Sequence, residues 1–347
     1  MRKDCQPVPL ERISKGDKMR KIKVAAIQPK YLRIPQEFDF LKDDYKNSPN
    51  KIIEHFLKAQ MEVTFHLLEQ AGREGCDIVT TCEDVTGTSN YAIDITENNI
   101  FPKLLELTTP IVEKRLSEIS KKYSMYIIGC YNKRIENRNY NVASVFDRRG
   151  NICGEYRKTH LPSYEQWQIT EGDDINTIEL DFGKIGISIC YDMMFSEFVQ
   201  VQALKGAEII FHPTAGYGWY DSIGEATLRT RANDNNVYIV TAKNYVFNGA
   251  GNSSIIDFWG QVQTDAGFYE NVIVTKEIDL DFKKTQPDWF FPAQVCNISQ
   301  VGERKLKERR PELYGTISEI LHEKLKSPNQ EALEKLFLKI KSGECHW

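Results

Sequence analysis

Short apolar runs of strand length alternate twice with helical stretches along this chain, and hairpins lie between them. "IKVAAIQPKY" (22–31) is a buried strand. "NKIIEHFLKAQMEVTFHLLEQAGRE" (50–74) then sets Ile53, Phe56 and Leu57, and later Leu67, Leu68 and Ala71, at helical spacing. "CDIVTTCED" (76–84) is a short strand ending in acids, residues 111–124 are a second helix, and "MYIIGCYNKR" is a strand. "NVASVFDRRGNICGEYRKTHL" (141–161) reads as two strands around an Arg-Gly-Asn turn. The second alternation is the strand "KIGISIC", a helix after Cys190, the strand "AEIIFHP" (207–213), a helix over 222–235 and the strand "VYIVTAKN" (237–244). A hairpin in "SSIIDFWGQVQTDAG" and the strand "NVIVTKEIDL" close the pattern. Such alternation predicts α/β layers around buried mixed sheets.

Composition narrows the classes. At 347 residues the chain is long enough for one large α/β domain or two smaller ones. A net charge of −4 gives no electrostatic case for nucleic acid or an anionic membrane surface. No apolar run approaches the ~18–20 residues of a membrane span. The N-terminus "MRKDCQPVPLERISKGDKMRK" has no apolar core segment, so the expected location is the cytoplasm. None of the eight cysteines forms a CxxC pair, which speaks against zinc and thioredoxin-type chemistry. No metal or cofactor is expected. Residues 1–21 read as an N-terminal arm, 22–285 as the main domain, and 286–347 as a charged, helical C-terminal extension.

Three polar residues stand at strand ends, where loops converge over a rigid sheet. Glu83 closes "DIVTTCE", Lys158 lies in "EYRKTHL", and Cys190 closes "KIGISIC". Taken singly each has a plainer reading: a capping acid, a solvated base beside Arg157, a small buried thiol. Together they are chemically coherent. A thiolate attacks a carbonyl or nitrile carbon, a carboxylate takes and returns its proton, and an ammonium stabilises the oxyanion. His160 would share the face of Lys158 in an extended segment, so a Cys190–His160 dyad is a rival arrangement.

The words around these residues carry a resemblance. "EYRKTHLPSYEQWQITEGD" (155–173) and "GISICYDMMFSEF" (186–198), with "VAAIQ", "DIVTTCE", "GNSSIIDFWGQV" and "RRPELY", resemble the nitrilase superfamily of carbon–nitrogen hydrolases over roughly residues 22–315. The resemblance implies a four-layer α-β-β-α sandwich that forms a homodimer or larger assembly, with the helix after Cys190 and the C-terminal tail at the interface. It implies Cys190 as nucleophile, Glu83 as general base, Lys158 as oxyanion stabiliser with the Tyr191 N–H, and Glu165 as a second glutamate bonded to the lysine. Cys-Tyr-Asp is similar to the amidase and carbamoyl-hydrolase branches, whereas nitrilases read Cys-Trp-Glu there.

The expected reaction is therefore hydrolysis of a small amide or N-carbamoyl compound through a thioester at Cys190. A nitrilase and a non-catalytic scaffold are the alternatives. Many ω-amidase-like members carry an arginine where this chain has Met194, so Arg229 or Arg231 is a candidate replacement cation. Trp167, Tyr217, Trp219 and Tyr220 suggest an aromatic pocket wall, with Met194 and Arg229 beside them.

Overall fold

The computed structural model describes residues 20–32, 48–92, 99–162, 165–215, 221–245, 251–282, 305–319 and 335. Twelve strands form two six-stranded sheets, in the orders β12-β1-β2-β3-β4-β5 and β11-β10-β9-β8-β7-β6. The first holds β1 (Lys21–Gln28), β2 (Ile78–Thr80), β3 (Tyr126–Ile135), β4 (Arg138–Phe146), β5 (Ile152–Arg157) and β12 (Val272–Asp279). The second holds β6 (Thr177–Leu180), β7 (Gly183–Ile187), β8 (Ile209–Thr214), β9 (Tyr238–Lys243), β10 (Ser254–Ile256) and β11 (Val262–Asp265). Each sheet has a parallel centre, β1-β2-β3 and β7-β8-β9, flanked by antiparallel strands.

Helices cover the outer faces. α1 (Lys58–Arg73) and α2 (Phe101–Tyr123) pack on each other and on the first sheet. α3 (Ser196–Leu204) and α4 (Asp221–Asn235) pack on the second. Strands β1 and β2 face β8 and β9, which completes the expected α-β-β-α sandwich. The facing strands are apolar on both sides, with Val24, Ala26, Ile78, Ile209, Phe211 and Val240 fully buried. Parallel strands covered on both faces have this near-continuous apolar character.

Three local expectations are corrected, and one strand went unread. α2 begins at Phe101, ten residues before the helix read from the sequence, and carries Pro110 inside it. An unbroken buried stripe through Phe101, Leu104, Leu105, Thr108, Val112 and Leu116 outweighs the ~3 kcal/mol cost of an interior proline. β6 was not legible, because four residues of alternating "TIEL" give little signal. Cys190 lies three residues beyond the end of β7, not on it. β1 starts at Lys21, inside the segment read as the arm, and the Arg20 guanidinium before it bonds Glu208 at 2.9 Å and Asp281 at 2.8 Å. No described helix is long and apolar enough to cross a membrane.

Candidate active site

The C-terminal ends of strands from both sheets meet at one place. Glu83 follows β2, Lys158 follows β5, Cys190 follows β7, and β8 and β9 end beside them in Thr214 and Lys243. Lys158 is fully buried. Its Nζ donates to Glu83 Oε1 at 2.8 Å and to both carboxylate oxygens of Glu165 at 2.8 Å. A buried ammonium is tolerated only with such partners. Its backbone is held as tightly: Lys158 N–H donates to the Asn141 carbonyl, and its own carbonyl accepts from Gly172 N–H at 2.8 Å. Only glycine fits at 172, since a Cβ there would lie 2.2 Å from the Arg157 carbonyl oxygen.

Glu83 collects donors from both sheets. Asn141 Nδ2 donates to Oε1 at 2.8 Å, Ala215 N–H donates to Oε2 at 3.0 Å, and the Cys190 thiol bonds the same carboxylate. Burial works against its charge, but the Lys158 ammonium and these donors outweigh it and hold the carboxyl below its ordinary range. Burial, joined by the charges of Glu83 and Glu165, pushes the Cys190 thiol well above the usual thiol range, against the opposing pull of Lys158 and of the Thr214 hydroxyl. At rest the site therefore holds a carboxylate beside a protonated thiol, poised for transfer of that proton.

Cys190 sits at φ +46°, in the left-handed region. For a residue with a Cβ this costs roughly 1–2 kcal/mol, so something must enforce it. The enforcing group is Asp192, which is fully buried. Its Oδ2 accepts from Ile189 N–H at 2.9 Å and from the Tyr156 hydroxyl at 2.7 Å. Its Oδ1 accepts from His160 N–H at 2.9 Å and the Thr159 hydroxyl at 3.1 Å, and meets His160 Nδ1 at 2.9 Å. One carboxylate thus ties the turn around Cys190 to the residues on either side of Lys158. It also engages the histidine. His160 lies stacked on Phe195 with its Nδ1 on Asp192, so the structure corrects the Cys190–His160 pairing.

Of the other expected residues, Tyr191 is the second residue of the 3-10 turn Cys190–Met194 and packs edge-on against Phe195. Met194 ends that turn, 49% exposed. Trp167 lines a polar recess with Asn99, Arg138 and Gln168, apart from Cys190. Arg229 is not brought to the cluster: Nε donates to the Gly260 carbonyl at 2.7 Å and Nη1 to Glu225 at 3.2 Å, which fixes it to the β10–β11 turn. Tyr217, Trp219 and Tyr220 lie outside the described residues. The sequence reading missed Asn141, Asp192, Thr214 and the Ala215 N–H. Asn141 left a signal, as an amide within the apolar strand "NVASVF". Among the described residues no group of three or more His, Cys, Asp or Glu side chains is arranged to hold a metal ion.

Glu165 makes the site pH-sensitive. Burial raises its carboxyl to about 7, aided by Glu83 and Asp192 and opposed by Lys158. The folded chain then binds more protons there than the unfolded chain between 4.5 and about 7, so this contribution to stability falls as pH rises through that window. His212, which burial lowers from 6.5 to about 4, acts with the opposite sign, and Glu83 acts only below 4.5. Subtracting a Glu165→Gln variant isolates the first effect. The urea midpoint of the wild type relative to that variant is expected to fall between pH 5 and pH 8, and a constant difference would refute the assignment.

Comparison with known proteins identifies the family and the fold. The carbon-nitrogen hydrolase family model matches residues 23–285. The omega-amidase NIT2 of Mus musculus is 31% identical over 240 residues, covering 63% of this chain and 81% of that protein. The omega-amidase NIT2 of Danio rerio is 33% identical over 189 residues, 48% of this chain and 66% of that one. Among solved structures, a carbon-nitrogen hydrolase from Helicobacter pylori superposes with a TM-score of 0.65 at 24% identity, covering 86% of this chain and 98% of its own. A variant of the amidase from Nesterenkonia sp. in complex with butyramide gives 0.62 at 16% identity, covering 85% and 96%. With more than half of its length matched by the family model, the chain belongs to the carbon-nitrogen hydrolase family.

Proposed function

We propose that the chain hydrolyses the C–N bond of small amides, with Cys190 as nucleophile, Glu83 as general base, and Lys158 with the Tyr191 N–H as oxyanion donors. The observation that carries this reading is the Cys190 thiol on a carboxylate that is itself bonded to a fully buried lysine. Glu83 takes the thiol proton as sulfur attacks the carbonyl carbon. The tetrahedral oxyanion forms against Lys158, where fixed donors act in a water-poor site. Collapse breaks the C–N bond, Glu83 returns the proton to nitrogen, and the amine or ammonia leaves. Water, deprotonated by the same carboxylate, then cleaves the thioester to a carboxylic acid. Glu165 holds Lys158 against both steps. The likeness to omega-amidases supports amide over nitrile chemistry.

The test is product analysis on a panel of small primary amides, N-carbamoyl compounds and nitriles. Ammonia with the matching carboxylic acid, from amides alone, is the expected result. Carbon dioxide from a carbamoyl compound, or acid from a nitrile with amides inert, would replace this reading. A homodimer and a cytoplasmic location belong to the same proposal. Sedimentation velocity and cell fractionation test them, and a monomer or a membrane-associated pool would remove them.

Asp192 supplies a sharper check as a positioning residue. All of the backbone and hydroxyl groups around it donate, so Asp192→Asn turns an amide NH2 toward donors. Misplacing a reacting group by about 1 Å lowers rates by about 10²-fold. We expect kcat to fall by about that factor with KM within about threefold, and Cys190 alkylation to slow in parallel. An unchanged kcat in a folded variant would remove the role.

A further inference from the structure

Asn141 lies inside β4 and is 3% exposed. Three of its polar atoms have partners in or beside the catalytic cluster. Its Nδ2 donates to Glu83 Oε1 at 2.8 Å, the oxygen that also accepts from Lys158 Nζ at 2.8 Å. Its carbonyl accepts from the Lys158 N–H at 2.9 Å. Its Oδ1 accepts from the Cys130 thiol, with the sulfur at 3.4 Å. Cys130 is fully buried, and burial raises its thiol well above the usual range, so the proton stays on sulfur.

Strand register brings these groups together. β3 pairs with β4 so that Cys130 lies opposite Ala143 and Asn132 opposite Asn141, which puts Cys130, Asn132 and Asn141 on one face. β3 also grips the chain on both sides of Glu83. Cys130 N–H donates to Thr81 Oγ1 at 2.9 Å, and the Cys130 carbonyl accepts from Val85 N–H at 2.8 Å. Further along the same loop, Asn132 Nδ2 donates to Thr88 Oγ1 at 3.2 Å and to Ser89 Oγ at 2.9 Å. The Asn141 amide stands between a carboxylate, which only accepts, and a protonated thiol, which donates. One orientation of the amide serves both. With Oε1 held by Asn141 and Lys158, and Oε2 by the Ala215 N–H, the carboxylate is fixed at both oxygens. An apolar side chain of the same size would fill the space in β4, but it would remove one of the two donors that the described residues bring to Oε1.

We propose that Asn141 is a positioning residue for the general base: its amide, oriented by the Cys130 thiol, fixes the Glu83 carboxylate toward Cys190. This rests on the reading above in which Glu83 takes the thiol proton. The amide acts in two ways. It holds Oε1 in place, so that the carboxylate does not swing onto Lys158 alone. It also donates to the charged form of the acid, which favours that form and keeps the base available at lower pH. Because the same residue anchors the Lys158 main chain, the base and the oxyanion donor keep their spacing from one point on β4.

The experiment runs wild type, Asn141→Leu, Cys130→Ala and Cys130→Ser side by side. Two quantities are read: ammonia release from short primary amides, and alkylation of Cys190 by iodoacetamide as a function of pH, followed on the Cys190 peptide by mass spectrometry. Asn141→Leu is expected to lower kcat by about 10²-fold with KM within about threefold, the scale for a reacting group misplaced by about 1 Å. The acid limb of its alkylation profile is expected to move up by roughly one pH unit, since the carboxylate has lost a donor to its charged form. A folded Asn141→Leu variant with kcat and acid limb unchanged would overturn the proposal. The cysteine pair decides independently, even where the leucine variant does not fold. A hydrogen-bonding role predicts that Cys130→Ser keeps at least about threefold more kcat, and faster Cys190 alkylation, than Cys130→Ala. A thiol that only fills apolar space predicts the reverse order, and that order would overturn the orienting role of Cys130. If the wild type releases no ammonia from any primary amide, the amide reading fails, while the alkylation rates still decide the role of Asn141.

Discussion

Cys190→Ala is expected to release no ammonia from any amide that the wild type hydrolyses, a loss of about 10⁴-fold or more, while unfolding no earlier. The first half follows from removing the only thiol bonded to Glu83 among the described residues. The second follows from the backbone. Cys190 holds φ +46°, and alanine keeps both the Cβ and the penalty that goes with it. Cys190→Gly removes the Cβ, so it is expected to be inactive yet more stable than the alanine variant by about 1 kcal/mol, read from urea midpoints. Turnover by the alanine variant at wild-type rates would place the nucleophile elsewhere. A glycine variant less stable than the alanine one would mean that the turn is not strained.

Lys158→Met should have the second largest effect, and on two axes. Turnover is expected to drop by about 10³-fold, the scale for losing one fixed oxyanion donor. Stability is expected to drop by about 3–5 kcal/mol at pH 8, because Glu83 and Glu165 are left as buried carboxylates without their shared ammonium. The deficit should shrink toward pH 5, where the two carboxyls can share a proton, as paired buried acids do. Urea midpoints of both proteins across that range test this. A deficit independent of pH would mean that Lys158 acts by packing alone.

The layers and the chemical trio were legible for different reasons. The sandwich shows in the sequence because covered parallel strands must be apolar throughout, and "VAAI", "DIV" and "EIIF" are. Glu83, Lys158 and Cys190 show because reactive side chains break such runs at their ends. Asp192, Asn141 and Thr214 act across strands or between loops distant in sequence. Tyr156 and Asp192 are 36 residues apart, and Glu83 and the Ala215 N–H are 132 apart. No local pattern encodes those pairings; the register of the sheets does. Arg229 misled for the opposite reason: a cation beside a motif was read as aimed at the substrate, while its helix turns it to a neighbouring turn.

Glu83 has one further consequence. Its side chain is held by Asn141 and Lys158 from the first sheet, and by Ala215 and Cys190 from the second. Neither half of the sandwich contains a working set of groups. The nucleophile therefore has its base only where the two halves are docked, so any loosening of one sheet against the other disarms the thiol before either sheet is lost.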